Sequence, residues 1–335
     1  MNSINGETTM SVQEAIKCFT DIMRSLNAVD QQIFLSFIAD NWKPEEAKIQ
    51  SLPQSCTNKQ NSCSMEDDQL KSLKTIALDI KNRVPFDGIL PTECIVTPTT
   101  GENSDCNNAS TKHIDAFLYD SKEVDELIDQ GLVDNFYCAN CGSNNVKEYN
   151  IISHSLSVAD MLHIFHTVLP SLKNKTVLDI GSRLGAVLYG AYILTPAKKI
   201  IGVEMNKEFC TLQHDVIDKY KMNDRIEVVN NRIEKCPEIV QQSNIIIMNN
   251  PFEFYVSDSV HIEIWKFLRE NIQKGTILVT RPSIETTFKT LNTGISINKW
   301  LKPYRPQKFT GEPQVFGSLI LDPDEHSDIH FYEVL

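Results

Sequence analysis

The sequence VLDIGSRLGA, residues 177–186, passes from an apolar run into a turn and then into an apolar helical pattern. Gly181 and Gly185 bracket the turn, and Arg183 occupies its middle. In an open parallel sheet, ligands bind beyond the carboxyl ends of the strands, where the first strand-to-helix turn lies. This stretch therefore predicts a ligand site at the edge of such a sheet.

A carboxylate about twenty residues further along adds to the prediction. Glu204 ends the apolar run of IIGVEMN, where its side chain can accept hydrogen bonds from both ribose hydroxyls of a nucleotide. A dinucleotide fingerprint would need glycines at positions 181, 183 and 186, and this chain has arginine at the second and alanine at the third. The side chain of Arg183 would keep a pyrophosphate away from the backbone.

The loop and the following acid resemble those of class I S-adenosylmethionine-dependent methyltransferases, whose loop reads acid-x-Gly-x-Gly-x-Gly. The resemblance covers about residues 157–335, and Arg183 departs from it at the middle glycine. It implies a cofactor site in which the loop binds the methionine half, Glu204 the ribose and Asn231 the adenine. The residues that it assigns to S-adenosylmethionine are Asp179, Gly181, Ser182, Gly185, Glu204 and Asn231.

The stretch IIIMNNPFEFY supplies the candidate catalytic residues Asn249, Asn250, Pro251 and Phe252. It resembles the Asx-Pro-Pro-aromatic motif of methyltransferases that act on amines, with Asn250 in place of the first proline. The resemblance implies that the Asx oxygen and a backbone carbonyl accept hydrogen bonds from the target N–H group, and that the ring holds the rest of the acceptor. The Asn249-Asn250 pair also partly resembles non-SET histone-lysine methyltransferases, although those lack the inserted Pro251.

The predicted fold is α/β, because strands alternate with helices after residue 156. We expect a seven-stranded Rossmann-like methyltransferase sheet with a C-terminal antiparallel hairpin, preceded by a helical region and a small zinc-knuckle-like region. Predicted strands cover residues 176–180, 199–204, 225–230, 244–248 and 276–280, and residues 317–321 and 329–334 form the predicted hairpin.

Four segments are predicted along the chain. Residues 1–50 form a helical element, because apolar residues recur at spacings of three and four, and residues 51–70 form a polar linker or mobile loop. Residues 71–155 form a small α+β module, with a helix at 69–82 and strands at 88–97 and 113–118. The methyltransferase domain covers residues 156–335.

The sequence YCANCGS has the shape of a zinc knuckle, with Cys138 and Cys141 separated by two residues. The chain has no second CxxC, so the remaining ligands would be single residues, of which we select His154 over His113, Cys94 and Cys106. We expect one structural zinc. Two unligated thiols and a redox pair remain the alternatives.

Charge is distributed unevenly between the two halves of the chain. Residues 1–171 contain 12 Lys and Arg against 24 Asp and Glu, whereas residues 172–335 contain 20 of each. Such an acidic half would repel the phosphates of a nucleic acid and would attract a basic protein, although acidic surfaces also aid solubility. No apolar run or leader predicts a membrane span or secretion, so we expect a cytoplasmic or nuclear protein.

These features together predict an S-adenosylmethionine-dependent N-methyltransferase that acts on a protein amine of the lysine type. A nucleobase-amine methyltransferase is the enzymatic alternative, because of the Asx-Pro-Phe resemblance. A methyltransferase-like binding module without turnover is the third possibility, because Arg183 interrupts the glycine loop.

Overall fold

The computed structural model describes most of the 335-residue chain. The chain divides into two compact units, residues 1–60 and residues 61–335. No helix within the described residues is long and apolar enough to cross a membrane. The described residues are 12–27, 30, 31, 34, 38, 57–98, 103, 104, 106, 107, 109–139, 146–306 and 313–335.

A seven-stranded mixed sheet organises the second unit, which confirms the predicted α/β class. Its strands are β5 (Thr176–Ile180), β6 (Lys199–Glu204), β7 (Ile226–Asn230), β8 (Ile245–Asn249), β9 (Ile277–Arg281), β10 (Leu301–Pro303) and β13 (His330–Val334). Their order in the sheet is β10-β13-β9-β8-β5-β6-β7. β5 to β9 are parallel to one another, whereas β13 is antiparallel to β9 and to β10.

The five parallel strands lie within one residue of their predicted bounds. They could be recognised because a strand covered on both faces is a nearly continuous apolar run, as in the buried Ile245–Met248 stretch. The predicted C-terminal hairpin is wrong in its pairing: β13 pairs with β10, and residues 319–321 instead form a separate two-stranded sheet with residues 314–316. The three-residue strand β10 gives too short a pattern to be recognised.

Short strands and helices complete the structure. The other strands are β1 (Thr111–His113), β2 (Phe136–Cys138), β3 (Val146–Glu148), β4 (Asn150–Ile152), β11 (Gln314–Phe316) and β12 (Leu319–Leu321). The α-helices are α1 (Val12–Ser25), α2 (Thr57–Lys81), α3 (Ser121–Asp129), α4 (Val158–Leu162), α5 (Ala186–Leu194), α6 (Lys207–Lys219), α7 (Pro237–Gln242), α8 (Asp258–Asn271), α9 (Ile284–Thr290) and α10 (Ile297–Trp300). A π-helical turn, His163–Val168, continues α4.

Helix α2 begins at Thr57, inside the segment that was predicted to be a linker. Residues 51–56 lie outside the described part of the chain. Leu70, Leu73, Ile76 and Ile80 are buried on one face of the helix and anchor it. The Ser, Asn and Gln residues before them each disfavour a helix by less than about 0.7 kcal/mol relative to Ala, so an anchored helix can extend through them.

The predicted α+β module does not have a core of its own. Leu73 of α2 and Phe117 belong to the same apolar cluster as Val177 of β5 and Leu188 of α5. Residues 88–97, predicted as a strand, form turns and extended backbone without strand pairing. This segment instead packs at the edge of the main sheet, where it contributes to the site described next.

Candidate functional site

A cavity of about 420 Å³ opens at the carboxyl ends of β5, β6 and β8. This is where a parallel sheet places its ligands, and the volume suits a small molecule or cofactor. Its lining includes the apolar side chains Ile180, Val203, Ile233, Phe252, Val256 and Ile264, together with Gly181, Arg183, Glu204, Asn206, Asn231, Asn249, Asn250, Pro251 and Tyr255. Residues 92–94 and His154 close it from the side of the N-terminal half.

Gly181 forms the floor of this cavity. Its φ is +76°, and a Cβ atom at this position would lie 2.8 Å from Cβ of Pro251. No other residue therefore allows the loop after β5 and the turn after β8 to approach this closely. Gly185 lies outside the lining: it precedes α5 with φ +84°, and a Cβ there would lie 2.5 Å from the Tyr189 hydroxyl.

Glu204 is buried at the end of β6 and lines the cavity. The backbone N–H of Arg183 donates to its Oε2 at 3.0 Å, and the N–H of Asn206 donates to its Oε1 at 2.7 Å. Burial raises the pKa of Glu204, and these two N–H groups offset part of that effect. Because a carboxylate has about four lone-pair sites, each oxygen can still accept one hydrogen bond from a ligand.

Asp179 and Ser182, predicted to bind the cofactor, do not line the cavity. Ser182 donates through its hydroxyl to Gln213 at 2.9 Å, behind the loop. Asp179 is fully buried, and desolvation, with a smaller contribution from the charge of Glu204, raises its pKa to about 8. A cation bound in the cavity would favour the ionised form of Asp179.

Of the two asparagines after β7, only Asn231 lines the cavity. Its backbone N–H donates to the Glu204 carbonyl at 3.1 Å. Asn230 uses its side-chain amide to hold the carbonyls of Glu204 and Met205, each at 3.0 Å. Asn230 thus supports the loop that follows β6, while Asn231 faces the space that a ligand would fill.

Asn249 and Asn250 line both this first cavity and a second cavity of about 530 Å³, whereas Pro251 and Phe252 line only the first. The Nδ2 of Asn249 donates to the His154 carbonyl at 3.3 Å. Its Oδ1 is buried and has no hydrogen-bond partner among the described residues. Such an unpaired acceptor costs about 1–3 kcal/mol, which a donor on a bound ligand would recover.

Arg183 lines the cavity but is buried, and its guanidinium is bound by residues of the N-terminal half of the chain. Nε donates to Glu93 at 2.8 Å, Nη1 to Asp115 at 2.7 Å and Nη2 to the Gly88 carbonyl at 2.6 Å. Its φ is +43°, a conformation that favours glycine, so the ion pairs hold the loop in a shape that the backbone of an arginine disfavours. We name this group the Arg183 cluster: Arg183, Glu93, Asp115 and the Gly88 carbonyl.

Several residues of the cavity wall were not predicted to belong to the site. Glu93 also accepts a hydrogen bond from the Tyr255 hydroxyl at 3.1 Å, and Thr92 donates to Glu208 at 2.6 Å. These contacts attach residues 88–94 across the cavity. The segment was predicted to be a strand, which does not indicate that it lies at the cavity, so only an acidic residue suited to pair with Arg183 could have indicated this position.

The predicted zinc site finds no support. Among the residues that the structure describes, no group of three or more His, Cys, Asp or Glu side chains could hold a metal ion. Cys138 lies on the exposed strand β2, and Cys141 is outside the described residues. His154 instead lines both cavities, with its Nε2 3.0 Å from Nδ1 of His113. Burial holds the pKa of His154 well below its ordinary value, so its imidazole is neutral.

Comparisons with known proteins find similarity among solved structures. No family model matches, and no curated protein matches in sequence. An RNA methyltransferase from Salinibacter ruber in complex with S-adenosylhomocysteine is 13% identical over 53% of this chain and 89% of its own, with a TM-score of 0.33. A putative methylase from Haemophilus influenzae is 16% identical over 53% and 99%, with a TM-score of 0.36. A putative methyltransferase from Escherichia coli is 15% identical over 55% and 89%, with a TM-score of 0.36.

All three of these solved structures are named as methyltransferases or methylases. The likeness is partial and covers about half of the chain. The residues that line the two cavities are therefore the basis for the function of the chain.

The raised pKa of Asp179 predicts a pH-dependent stability. Because the pKa is about 8 in the folded state and about 4 in the unfolded chain, folding binds a proton between these values. Stability contributed by this group is complete below about pH 4 and is lost as the pH rises toward 8. Between pH 6 and pH 8, wild type should lose about 2 kcal/mol more than Asp179→Asn in urea denaturation. The exposed control Asp215→Asn should follow wild type, and parallel curves for wild type and Asp179→Asn would contradict the prediction.

The Arg183 cluster predicts a large loss of stability when its cation is removed. Arg183→Met leaves two buried carboxylates unpaired, so the free energy of unfolding should fall by about 3–5 kcal/mol. Combining it with Glu93→Gln and Asp115→Asn should restore part of the loss, because no buried charge then remains. Lys199→Met, which breaks an exposed pair with Glu227, should cost less than about 1 kcal/mol. Urea denaturation measures all three, and equal losses for Arg183→Met and Lys199→Met would refute the role of the cluster.

Proposed function

We propose that this chain is an S-adenosylmethionine-dependent methyltransferase that methylates a nitrogen atom, most simply an amine of a basic protein. The observation that supports this proposal is the buried, unpartnered Oδ1 of Asn249 in the wall between two adjoining cavities. An acceptor in that place suits a ligand that presents an N–H group. It would accept a hydrogen bond from the target nitrogen and so orient the lone pair toward the first cavity.

The first cavity fits the cofactor. Its apolar walls suit a purine, the two free lone-pair sites of Glu204 suit the ribose hydroxyls, and Asn231 can pair with the adenine edge. When bound, S-adenosylmethionine would supply a methyl group on a sulfonium. An acceptor amine that has lost its proton to solvent could attack this methyl carbon with its lone pair, and the carbon–sulfur bond would break with release of S-adenosylhomocysteine. Glu204 supplies negative charge near the sulfonium cation.

The chain contributes alignment and not covalent chemistry. The Asn249 amide is fixed because its Nδ2 is held by the His154 carbonyl, so its Oδ1 points in one direction. Positioning of this kind can supply a large part of a rate enhancement. Phe252 packs against Trp265 and faces only the first cavity, so in this proposal it shapes the cofactor site and does not hold the acceptor.

Charge in the second cavity favours a basic acceptor over a nucleobase. Its lining includes Glu253 and Asp258, whereas Arg281 is paired with Asp328, and the phosphates flanking a nucleobase would meet the first two carboxylates. The proposal of an inactive binding module rested on Arg183. Because the guanidinium is bound to Glu93 and Asp115, it leaves the first cavity open, and that reason for assigning an inactive module no longer holds.

Cofactor binding is the first test. In titration calorimetry, wild type should bind S-adenosylmethionine, and a concentration of 100 times the dissociation constant should stabilise the fold by about 2.7 kcal/mol. Glu204→Gln keeps the shape but loses the charge, and should weaken binding about 10- to 100-fold. The matched control is Glu227→Gln on the exposed side of β7, which should bind as wild type does. Wild type that neither binds nor is stabilised would exclude the proposed function.

Methyl transfer is the second test. Asn249→Ala should bind S-adenosylmethionine within about twofold of wild type but transfer a labelled methyl group to lysate protein about 100 times more slowly, because the acceptor is misaligned. Asn223→Ala, at an exposed turn before β7, is the control. Label that is removed by protease and resists nuclease supports a protein amine. Label that survives protease would reject the protein acceptor and support the nucleobase alternative.

A further inference from the structure

The second cavity presents an unusual balance of charge. Arg281 is the one Lys or Arg among the described residues that line it. Its Nη1 and Nη2 contact Asp160 at 3.2 and 3.1 Å, and its Nε lies 2.8 Å from Asp328. The positive charge of Arg281 is therefore already balanced by two carboxylates. The carboxylates of the second cavity that are not paired with Arg281 can therefore interact with a positively charged ligand.

Among the carboxylates that line the second cavity, Glu253 is the best placed to bind a cationic ligand. It lies four residues after Asn249 in the turn between β8 and α8, and both residues line the second cavity. Its Oε2 accepts hydrogen bonds from Nδ2 of Asn250 at 2.6 Å and from Nδ2 of Asn103 at 2.9 Å. Neither donor is charged, and within the described chain Glu253 forms no ion pair with a Lys, Arg or His.

Two amides from different segments fix this carboxylate before any ligand arrives. A fixed, half-buried anion without a cationic partner carries a desolvation cost that a bound cation would repay. Asn250 has φ +48°, so Glu253 also helps to hold the turn. Glutamine could keep that supporting role, because its amide oxygen accepts the same hydrogen bonds, whereas it could not replace the charge.

We infer that Glu253 selects the acceptor by binding the alkylammonium group of a lysine-type side chain as it enters the second cavity. The inference rests on the proposed function and adds the specificity-determining residue to it. A protonated alkylamine offers three N–H donors and one positive charge, which complements the unused Oε1 of Glu253 and the unpaired Oδ1 of Asn249. A neutral amide offers the donors without the charge, and a phosphorylated ligand has the wrong sign.

The test uses the full chain saturated with S-adenosylhomocysteine and two short fluorescent peptides, one of alternating Lys and Gly, the other with norleucine in place of Lys. Fluorescence anisotropy should show wild type binding the lysine peptide more tightly. Glu253→Gln should weaken binding of that peptide about tenfold, or about 1.4 kcal/mol, and leave the norleucine peptide unchanged. Glu253→Lys should weaken it further. Glu270→Gln, an exposed acid near the end of α8, is the control and should match wild type.

Calorimetry with S-adenosylmethionine distinguishes a failure of the role inferred for Glu253 from a failure of the proposed function. Glu253→Gln should bind this cofactor as wild type does, because glutamine keeps the hydrogen bonds to Asn250 and Asn103 and residue 253 lines only the second cavity. If the cofactor binds and Glu253→Gln retains full affinity for the lysine peptide, the role of Glu253 is refuted and the proposed function stands. Equal affinity of wild type for the two peptides refutes cation selection without use of a variant. A wild-type protein that does not bind the cofactor refutes the proposed function itself.

Discussion

The site depends on one buried cation. Arg183 sits in the turn after β5, and its guanidinium is shared between Glu93 and Asp115, residues that precede it by 90 and 68 positions. Buried charges are tolerated only when paired, so this arrangement forces the N-terminal segments against the edge of the sheet. Without that attachment, residues 92–94 would not form a wall of the first cavity. Arg183, which occupies the middle-glycine position of the loop motif, therefore has a structural role: it connects the turn after β5 to Glu93 and Asp115.

The sequence predicted the features that depend on residues close together in the chain. Parallel strands buried on both faces are continuous apolar runs, and the residue that ends each run must lie at the carboxyl edge of the sheet. Glu204 and Asn249, which follow such runs and were assigned to the site by their resemblance to methyltransferase motifs, both line the first cavity. The sequence did not predict the position of a segment that is held by residues far away in the sequence. The position of the extended segment around Glu93 is set by a guanidinium far along the chain.

The sequence also did not predict the direction in which the side chains of the glycine turn point. A position in the glycine turn does not say whether its side chain faces the ligand or the core, because the left-handed backbone at Gly181 and Arg183 changes the direction of the chain twice within three residues. Ser182 accordingly faces Gln213, behind the loop. His154 was assigned to a metal from its residue type, yet its carbonyl holds Asn249 and its ring lies at both cavities.

The acceptor proposed for this site would enter as an ammonium beside the sulfonium and would lose its proton before transfer, so two cations would first come together, and acids line both cavities. A sulfonium and an ammonium about 4 Å apart repel each other by about 4 kcal/mol at an effective dielectric constant of 20. Glu204 beside the first cavity, and Glu253 beside the second, offset that repulsion from opposite sides. The wall between them must then be neutral, since a carboxylate there would hold the ammonium proton. Asn249, which accepts a hydrogen bond without bearing charge, meets that requirement where aspartate would not.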